Sequence, residues 1–364
     1  MLGIYVHIPF CAKKCPYCDF YSESFSKSTA DLYTQAVITA INSYTNTVAD
    51  TLYFGGGTPN LIGSENIKKI ISAAKKVFSL ENAEITMEAN PESLSIQDIF
   101  LFKEAGINRL SLGLQSSSLS ELSSLNRRHT PDQVKFCVEK ARECGINNIS
   151  LDLMVGILGQ TARSLKESIE FCDSLNVNHI SAYLLKIEEG THYFENQKKL
   201  NFPDEDFSAE LYEFLVSELE KLGFEQYEIS NFAKKGFESR HNTKYWLCEE
   251  YIGIGAAAHG FFKGQRYYYQ RDLRKFIENP LKTIPDGEGG SAEEELMLAL
   301  RLRQGINLDS FQSKHSIILS SNFHKAFDKF CKMGLAERKG SNICLTKTGF
   351  LVSNAIISEF INEM

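Results

Sequence analysis

The 364-residue chain lacks the marks of several large protein classes. No apolar run reaches the roughly 18–20 residues a membrane-spanning helix needs. The leading MLGIYVHIPF has neither a basic segment nor a small-residue cleavage site, so no secretory signal is read. An excess of positive charge is missing: 39 basic residues face 46 acidic ones, for a net charge of −7, which disfavours a general nucleic-acid binder. Internal repeats and low-complexity tracts are absent, and 43% hydrophobic with 23% charged residues excludes wholesale disorder. The cysteines are also not an even, secreted set. Nine of them, in a long chain without a signal, argue against a disulfide framework and for reduced thiols with a metal site among them. The expected compartment is the cytoplasm, with at most transient association with a membrane.

What is present is an alternation of short β-rich runs and amphipathic stretches. Strands are predicted at Gly3–Ile8, Thr51–Phe54, Glu84–Glu88, Arg109–Gly113, Asn148–Leu153 and His179–Leu185. Helices are predicted between them, among them Ser64–Ser79 and Pro131–Cys144, where Val134, Val138 and Ala141 share one face. Strand–helix alternation implies parallel pairing with right-handed crossovers. Six such units are too few to close an eight-fold barrel, so the expected fold is α/β, an open partial (β/α)6 barrel spanning 1–190. Residues 191–284 read as an extension of that core. Pro285–Gly290 reads as a linker by its turn composition. Residues 291–364 read as a mostly helical, winged-helix-like domain with a β-ribbon near Ala336–Thr346. Without a basic recognition helix, that module is expected to pack, not to bind DNA.

The sharpest motif is Cys11-Ala-Lys-Lys-Cys15-Pro-Tyr-Cys18, directly after the first predicted strand. A closed structural zinc site would want a fourth ligand, and no nearby Cys or His pair supplies one. Three thiolates suit a [4Fe–4S] cluster with one iron open to a small-molecule ligand. The other six cysteines (137, 144, 172, 248, 331, 344) are scattered and expected to be buried structural thiols. Gly55-Gly56-Gly57-Thr58-Pro59 follows the second strand; consecutive glycines permit close backbone approach and positive φ, although such a run is also compatible with an ordinary turn. Glu88, Gln115 and Asp152 fall at or near strand ends, the edge where barrel-like folds bind ligands.

The C-x3-C-x2-C spacing, with Tyr17 before its last cysteine, resembles the signature of the radical S-adenosylmethionine (SAM) superfamily. Tyr5-Val-His-Ile-Pro-Phe-Cys11 narrows the resemblance to the oxygen-independent coproporphyrinogen III oxidase family. So do the Gly55–Pro59 run, Glu88-Ala-Asn-Pro91, Ser111-Leu-Gly-Leu-Gln115 and Leu151–Gln160. The resemblance implies that Cys11, Cys15 and Cys18 hold the cluster. It assigns Gly56, Gly57 and Thr58 to the SAM amino group, and Tyr5, Tyr17, Glu88, Gln115 and Asp152 to further SAM contacts. Arg127 would face the SAM carboxylate, which a guanidinium fork suits. One electron from the reduced cluster would then cleave SAM to methionine and a 5′-deoxyadenosyl radical.

Two departures point to one branch. Where the oxidases carry a further cysteine, this chain has Phe20, and it begins only four residues before Tyr5, where they carry an N-terminal extension. Both features resemble the HemW-like heme-chaperone branch, as does His241-Asn242-Thr243-Lys244-Tyr245-Trp246. The resemblance implies a chaperone that carries heme as cargo and delivers it to a membrane respiratory protein, with an electron donor for the cluster and no nucleic-acid partner. The alternative is the oxidase itself, decarboxylating coproporphyrinogen III in heme biosynthesis. His241 would supply an axial nitrogen, and Tyr245 and Trp246 a flat surface for the macrocycle; a buried, hydrogen-bonding histidine fits the same residues. His7, His129, His179 and His259 read as structural, and Gly253-Ile-Gly255 as a scaffold loop.

Overall fold

A computed structural model describes residues 1–45 and 47–364. Six strands, β1 (Leu2–Ile8), β2 (Thr47–Gly56), β3 (Glu84–Ala89), β4 (Arg109–Gln115), β5 (Asn148–Val155) and β6 (His179–Leu184), pair side by side in parallel in chain order. Helices α1 (Lys27–Asn42), α2 (Ser64–Val77), α3 (Ile96–Ala105), α4 (Pro131–Glu143), α5 (Ala162–Ser174) and α6 (Glu205–Lys221) follow the successive strands. The sequence sets their ends. Thr130 caps α4 in a reciprocal capping box with Gln133, and Gly106 ends α3 in the left-handed conformation at φ 114°.

Alternation along each strand sorts the residues. Ile4, Val6, Leu52, Phe54, Ile85, Met87, Leu110, Leu112, Ile149 and Leu151 join one buried core with helix residues such as Val37, Ile70, Phe102, Val138 and Ile169. The intervening positions, Tyr5, His7, Thr51, Tyr53, Glu84, Glu88, Arg109, Ser111 and Asp152, turn to the concave face. Period two therefore leaves one apolar face under the helices and one polar face lining the barrel.

The barrel stays open. Beyond β6 the sheet continues antiparallel with β8 (Asn231–Ala233) and β7 (Glu225–Glu228). Beyond β1 it continues with parallel β9 (Tyr251–Ile254), then β10 (His259–Phe262), β11 (Gln265–Tyr268) and β12 (Ile284–Glu288). Among the described residues the edge strands β7 and β12 do not meet. The segment expected to be a linker is thus largely β12. Its turn-forming residues suit an edge strand: Pro285, opposite Tyr267, lacks only an N–H that the outer strand of a sheet can spare, and Gly287 bends at φ 88°. Short helix α7 (Arg240–Trp246) lies between β8 and β9 in the chain.

The C-terminal unit has its own core, centred on Leu300, Phe311, Phe323, Phe327, Ile343 and Phe360. Its longer helices are α8 (Ala292–Ala299), α9 (Leu308–His315), α10 (Ser321–Lys332) and α11 (Ser353–Asn362). A hairpin of Ala336–Lys339 with Asn342–Leu345 forms the wing, joined by Ile306–Asn307 as a third strand. Of the six scattered cysteines, Cys137, Cys172, Cys248 and Cys344 are buried. Cys144 and Cys331 are only half-buried, a correction explained by their places at or near the ends of α4 and α10. No helix is long and apolar enough to cross a membrane among the described residues.

Candidate functional site

The chain leaves β1 and enters the cysteine loop at the C-terminal edge of the barrel. Phe10–Cys11 pairs with Glu23–Ser24, so the loop is closed at its base, and Cys11, Cys15 and Cys18 all lie half-buried as free thiols. The Cys18 amide donates to the Cys15 carbonyl at 3.2 Å, which closes a tight turn between the two cysteines. Among the described residues no three Cys, His, Asp or Glu side chains converge on a single ion. A cluster does not ask for that, because each thiolate takes a different iron. Three free thiols on one closed loop fit such a group and fit a single caged ion poorly.

The triglycine run lies against this loop. The Gly57 amide donates to the Ile8 carbonyl at 2.9 Å and the Thr58 amide to the Phe10 carbonyl at 2.7 Å. A Cβ on Gly57 would stand 2.6 Å from the Phe10 carbonyl oxygen. Gly56 sits at φ 111°, and a Cβ there would lie 2.5 Å from the His7 ring. Gly57 is therefore required by the close backbone of Ile8 and Phe10, and Gly56 by its positive φ and the His7 ring, where the end of β2 meets the segment leading to the cysteines. From Thr58 a chain of polar contacts crosses the barrel rim. Its hydroxyl reaches Cys11 Sγ at 3.7 Å and accepts from Asn90 Nδ2 at 3.2 Å. Arg127 donates from Nη1 to Asn90 at 2.8 Å and from Nη2 to the Tyr17 hydroxyl at 3.1 Å. The buried Arg127 Nε has no partner among the described residues, so the guanidinium keeps capacity for an incoming carboxylate.

Below the rim, Glu88 is half-buried. It accepts from the Tyr53 hydroxyl at 2.7 Å and from the Gly56 amide at 3.3 Å. Burial pushes its carboxyl up to about 7 and the Asp152 charge adds to the rise, while Tyr53, Gly56 and Arg109 hold it lower. Asp152 accepts from Ser111 at 3.1 Å, and burial pushes it up to about 6. Gln115 ends β4 at φ 66°, an uncommon left-handed backbone for a non-glycine residue. The Tyr5 hydroxyl is bound to His7 Nδ1 at 3.0 Å. The sequence-predicted residues Tyr17, Gly56, Gly57, Thr58, Glu88, Arg127 and Asp152 thus meet at one edge, with Gln115 at the adjoining strand end.

Of the three residues expected to face heme, His241 and Tyr245 lie together and Trp246 lies apart, and His241 takes the buried, hydrogen-bonded form that the sequence also allowed. His241 is 1% exposed. Its Nδ1 lies 2.7 Å from Thr51 Oγ1 and its Nε2 2.8 Å from the Tyr245 hydroxyl, so both ring nitrogens are engaged. Burial and the adjacent Lys244 ammonium push the imidazole down to about 3. Trp246 faces elsewhere, with the Arg301 guanidinium of the C-terminal unit 5.8 Å from its ring. The physical reason is helical spacing: positions 241 and 245 share a face of α7, and position 246 turns away from it.

Comparison with known proteins fits this geometry. Residues 5–172 match the radical SAM superfamily and residues 291–352 the HemN C-terminal domain. The heme chaperone HemW of Bacillus subtilis is 36% identical, with all of both chains covered, and that of Lactococcus lactis 32% identical over 98% of this chain and 96% of its own. The chain belongs to the HemW family of radical SAM proteins. Among solved structures, the coproporphyrinogen III oxidase HemN of Escherichia coli, described as a radical SAM enzyme, superposes with a TM-score of 0.85. It is 20% identical and covers 100% of this chain and 90% of its own. At that identity the likeness shows the shared HemN-type fold, a mixed α/β radical SAM barrel with a C-terminal helical domain. Membership of the HemW family and the superfamily accounts for the cysteine motif and implies a [4Fe–4S] cluster and SAM.

Three residues at this site were not found from sequence. Tyr53 and Asn90 lie inside segments already singled out, but neither is charged and neither ends a strand. Arg109 is 1% exposed at the start of β4, with its Nε unpartnered among the described residues and its charge acting on both Glu88 and Asp152. A lone arginine opening an apolar strand was the available signal.

Proposed function

We propose that the chain is a heme-binding chaperone of the radical SAM type. In this reading Cys11, Cys15 and Cys18 hold a [4Fe–4S] cluster. Gly56, Gly57, Thr58, Glu88, Gln115, Arg127 and Asp152, with Tyr5 and Tyr17, hold SAM along the edge formed by β2 to β5. The observation that carries the reading is likeness over the whole length to proteins named heme chaperones, combined with the unbroken polar chain Cys11–Thr58–Asn90–Arg127–Tyr17 at the cysteine loop. When bound, a reduced cluster would supply the electron that cleaves a carbon–sulfur bond of SAM. The chain's own part is to orient and to exclude water. The free Arg127 Nε would meet the SAM carboxylate, and the Glu88 carboxylate would accept from a cationic group.

The expected partners are heme as cargo, a membrane respiratory protein as its recipient, a donor of electrons to the cluster, and no nucleic acid. The expected place of action is the cytoplasm, with transient contact at a membrane. One observation favours the second reading, an oxygen-independent coproporphyrinogen III oxidase: the fold is shared with the Escherichia coli enzyme. Against it, Phe20 stands where the oxidase pattern has a cysteine, and its side chain is 67% exposed beside the cluster loop. Anaerobic incubation of the reconstituted protein with coproporphyrinogen III, SAM and a reductant separates the two. The chaperone reading expects no protoporphyrinogen; steady decarboxylation would overturn it.

A further inference from the structure

We propose that His241 and Tyr245 are a positioning floor for the SAM site, acting through Tyr53 on Glu88. The inference rests on the assignment of Glu88 to that site. Helix α7 is fixed across the end of the barrel opposite the cysteine loop. The amides of Arg240 and His241 donate to the Glu84 carboxylate at 3.3 and 3.2 Å, at the start of β3. Arg240 and Lys244 pair with Asp50 in β2 at 3.0 and 2.9 Å. These anchors hold His241 pointing into the barrel, where Thr51 and Tyr245 occupy its two nitrogens. A neutral imidazole has one donor and one acceptor, so the ring is saturated and its orientation set.

The ring's flat face then carries the next layer. Tyr53 stacks on His241 with centroids 5.0 Å apart and planes 23° from parallel, and Tyr5 stacks more distantly at 6.4 Å and 28°. The Tyr245 ring is held in turn by the Tyr251 ring at 4.5 Å, edge-on. Tyr53 has one strong polar contact, its 2.7 Å bond to Glu88 Oε1, and Glu88 Oε2 reaches the amide of Gly56 in the triglycine run. The path α7–His241–Tyr53–Glu88–Gly56 therefore joins the floor to the rim through contacts that each fix the next. In this arrangement His241 sets where the Glu88 carboxylate stands, and it holds no iron.

The test is calorimetric titration of SAM into the full-length, cluster-reconstituted protein. The variants are His241→Phe, which keeps a flat ring but loses both hydrogen bonds, Tyr245→Phe, which removes one hydroxyl, Glu88→Gln, and each floor variant combined with Glu88→Gln. Each floor variant is expected to weaken SAM about five- to tenfold, the size typical of residues sharing one network, and that loss should vanish in the Glu88→Gln background. Heme uptake, followed by absorbance, should be unchanged. If Glu88→Gln leaves SAM affinity intact, the site assignment itself fails. If Glu88→Gln weakens binding but the floor variants do not, or weaken it by the same factor without Glu88, the positioning role is overturned while the site stands. Loss of heme uptake in folded His241→Phe would also overturn it. Should His241→Phe not fold, Tyr245→Phe carries the same comparison.

Discussion

Glu88 shows at the scale of one residue how a binding role is set against stability. Its carboxyl stands at about 7 in the folded chain against an ordinary 4.5, chiefly through burial. Between those values the folded state holds a proton that the unfolded state has lost, so stability falls as pH rises from about 4.5 to about 7. Glu88→Gln should therefore melt higher than wild type at pH 8 and match it more nearly at pH 4.5, as read by thermal unfolding of the protein without SAM. Equal melting temperatures at pH 8 would contradict the burial account. The partner residue on the rim is Arg127. Arg127→Ala removes a charged hydrogen bond worth about 1.5–3 kcal/mol, so SAM affinity should fall roughly tenfold or more. Cys15→Ser should lose the cluster by iron and sulfide analysis, and a stable, intact cluster there would contradict the ligand assignment.

At the scale of elements, the triglycine loop is governed by its fit to the cysteine loop. Gly57→Ala would place a methyl 2.6 Å from the Phe10 carbonyl oxygen, which neither backbone can yield cheaply. The expected cost is about 1–3 kcal/mol of overpacking, seen as a lower melting temperature with weakened SAM binding. Unchanged stability and affinity would mean that β2 and the cysteine loop do not meet this closely. The six parallel strands were legible because β-rich runs broken by amphipathic helices leave a plain sequence pattern. The observed ends of β4 and β5 run two residues past the predicted ones, to Gln115 and Val155, because pairing with the neighbouring strand continues there. Pro285–Gly290 was misread because proline and glycine mark turns and edge strands alike. The His241 motif left two readings open in the sequence, a heme-facing set and a buried, hydrogen-bonding histidine, for a different reason. Its residue types suit heme, but a seven-residue helix divides them between the barrel interior and the C-terminal unit, and only tertiary contacts reveal the division.

The whole molecule joins a polar-lined open barrel to a small helical unit, and both contribute to the floor helix. The strand–helix alternation gave this architecture and the family resemblance gave the roles of the cysteine and glycine motifs, while the partners of the buried His241 and the cation Arg109 inside the barrel became visible only in three dimensions. The central claim is that such a chain takes up heme as cargo. Its most direct test is an anaerobic heme titration of the full-length, reconstituted protein, followed at the Soret band. The account predicts saturable uptake near one heme per chain, with the same end point in His241→Phe. Absence of saturable uptake by the folded wild-type protein would contradict it.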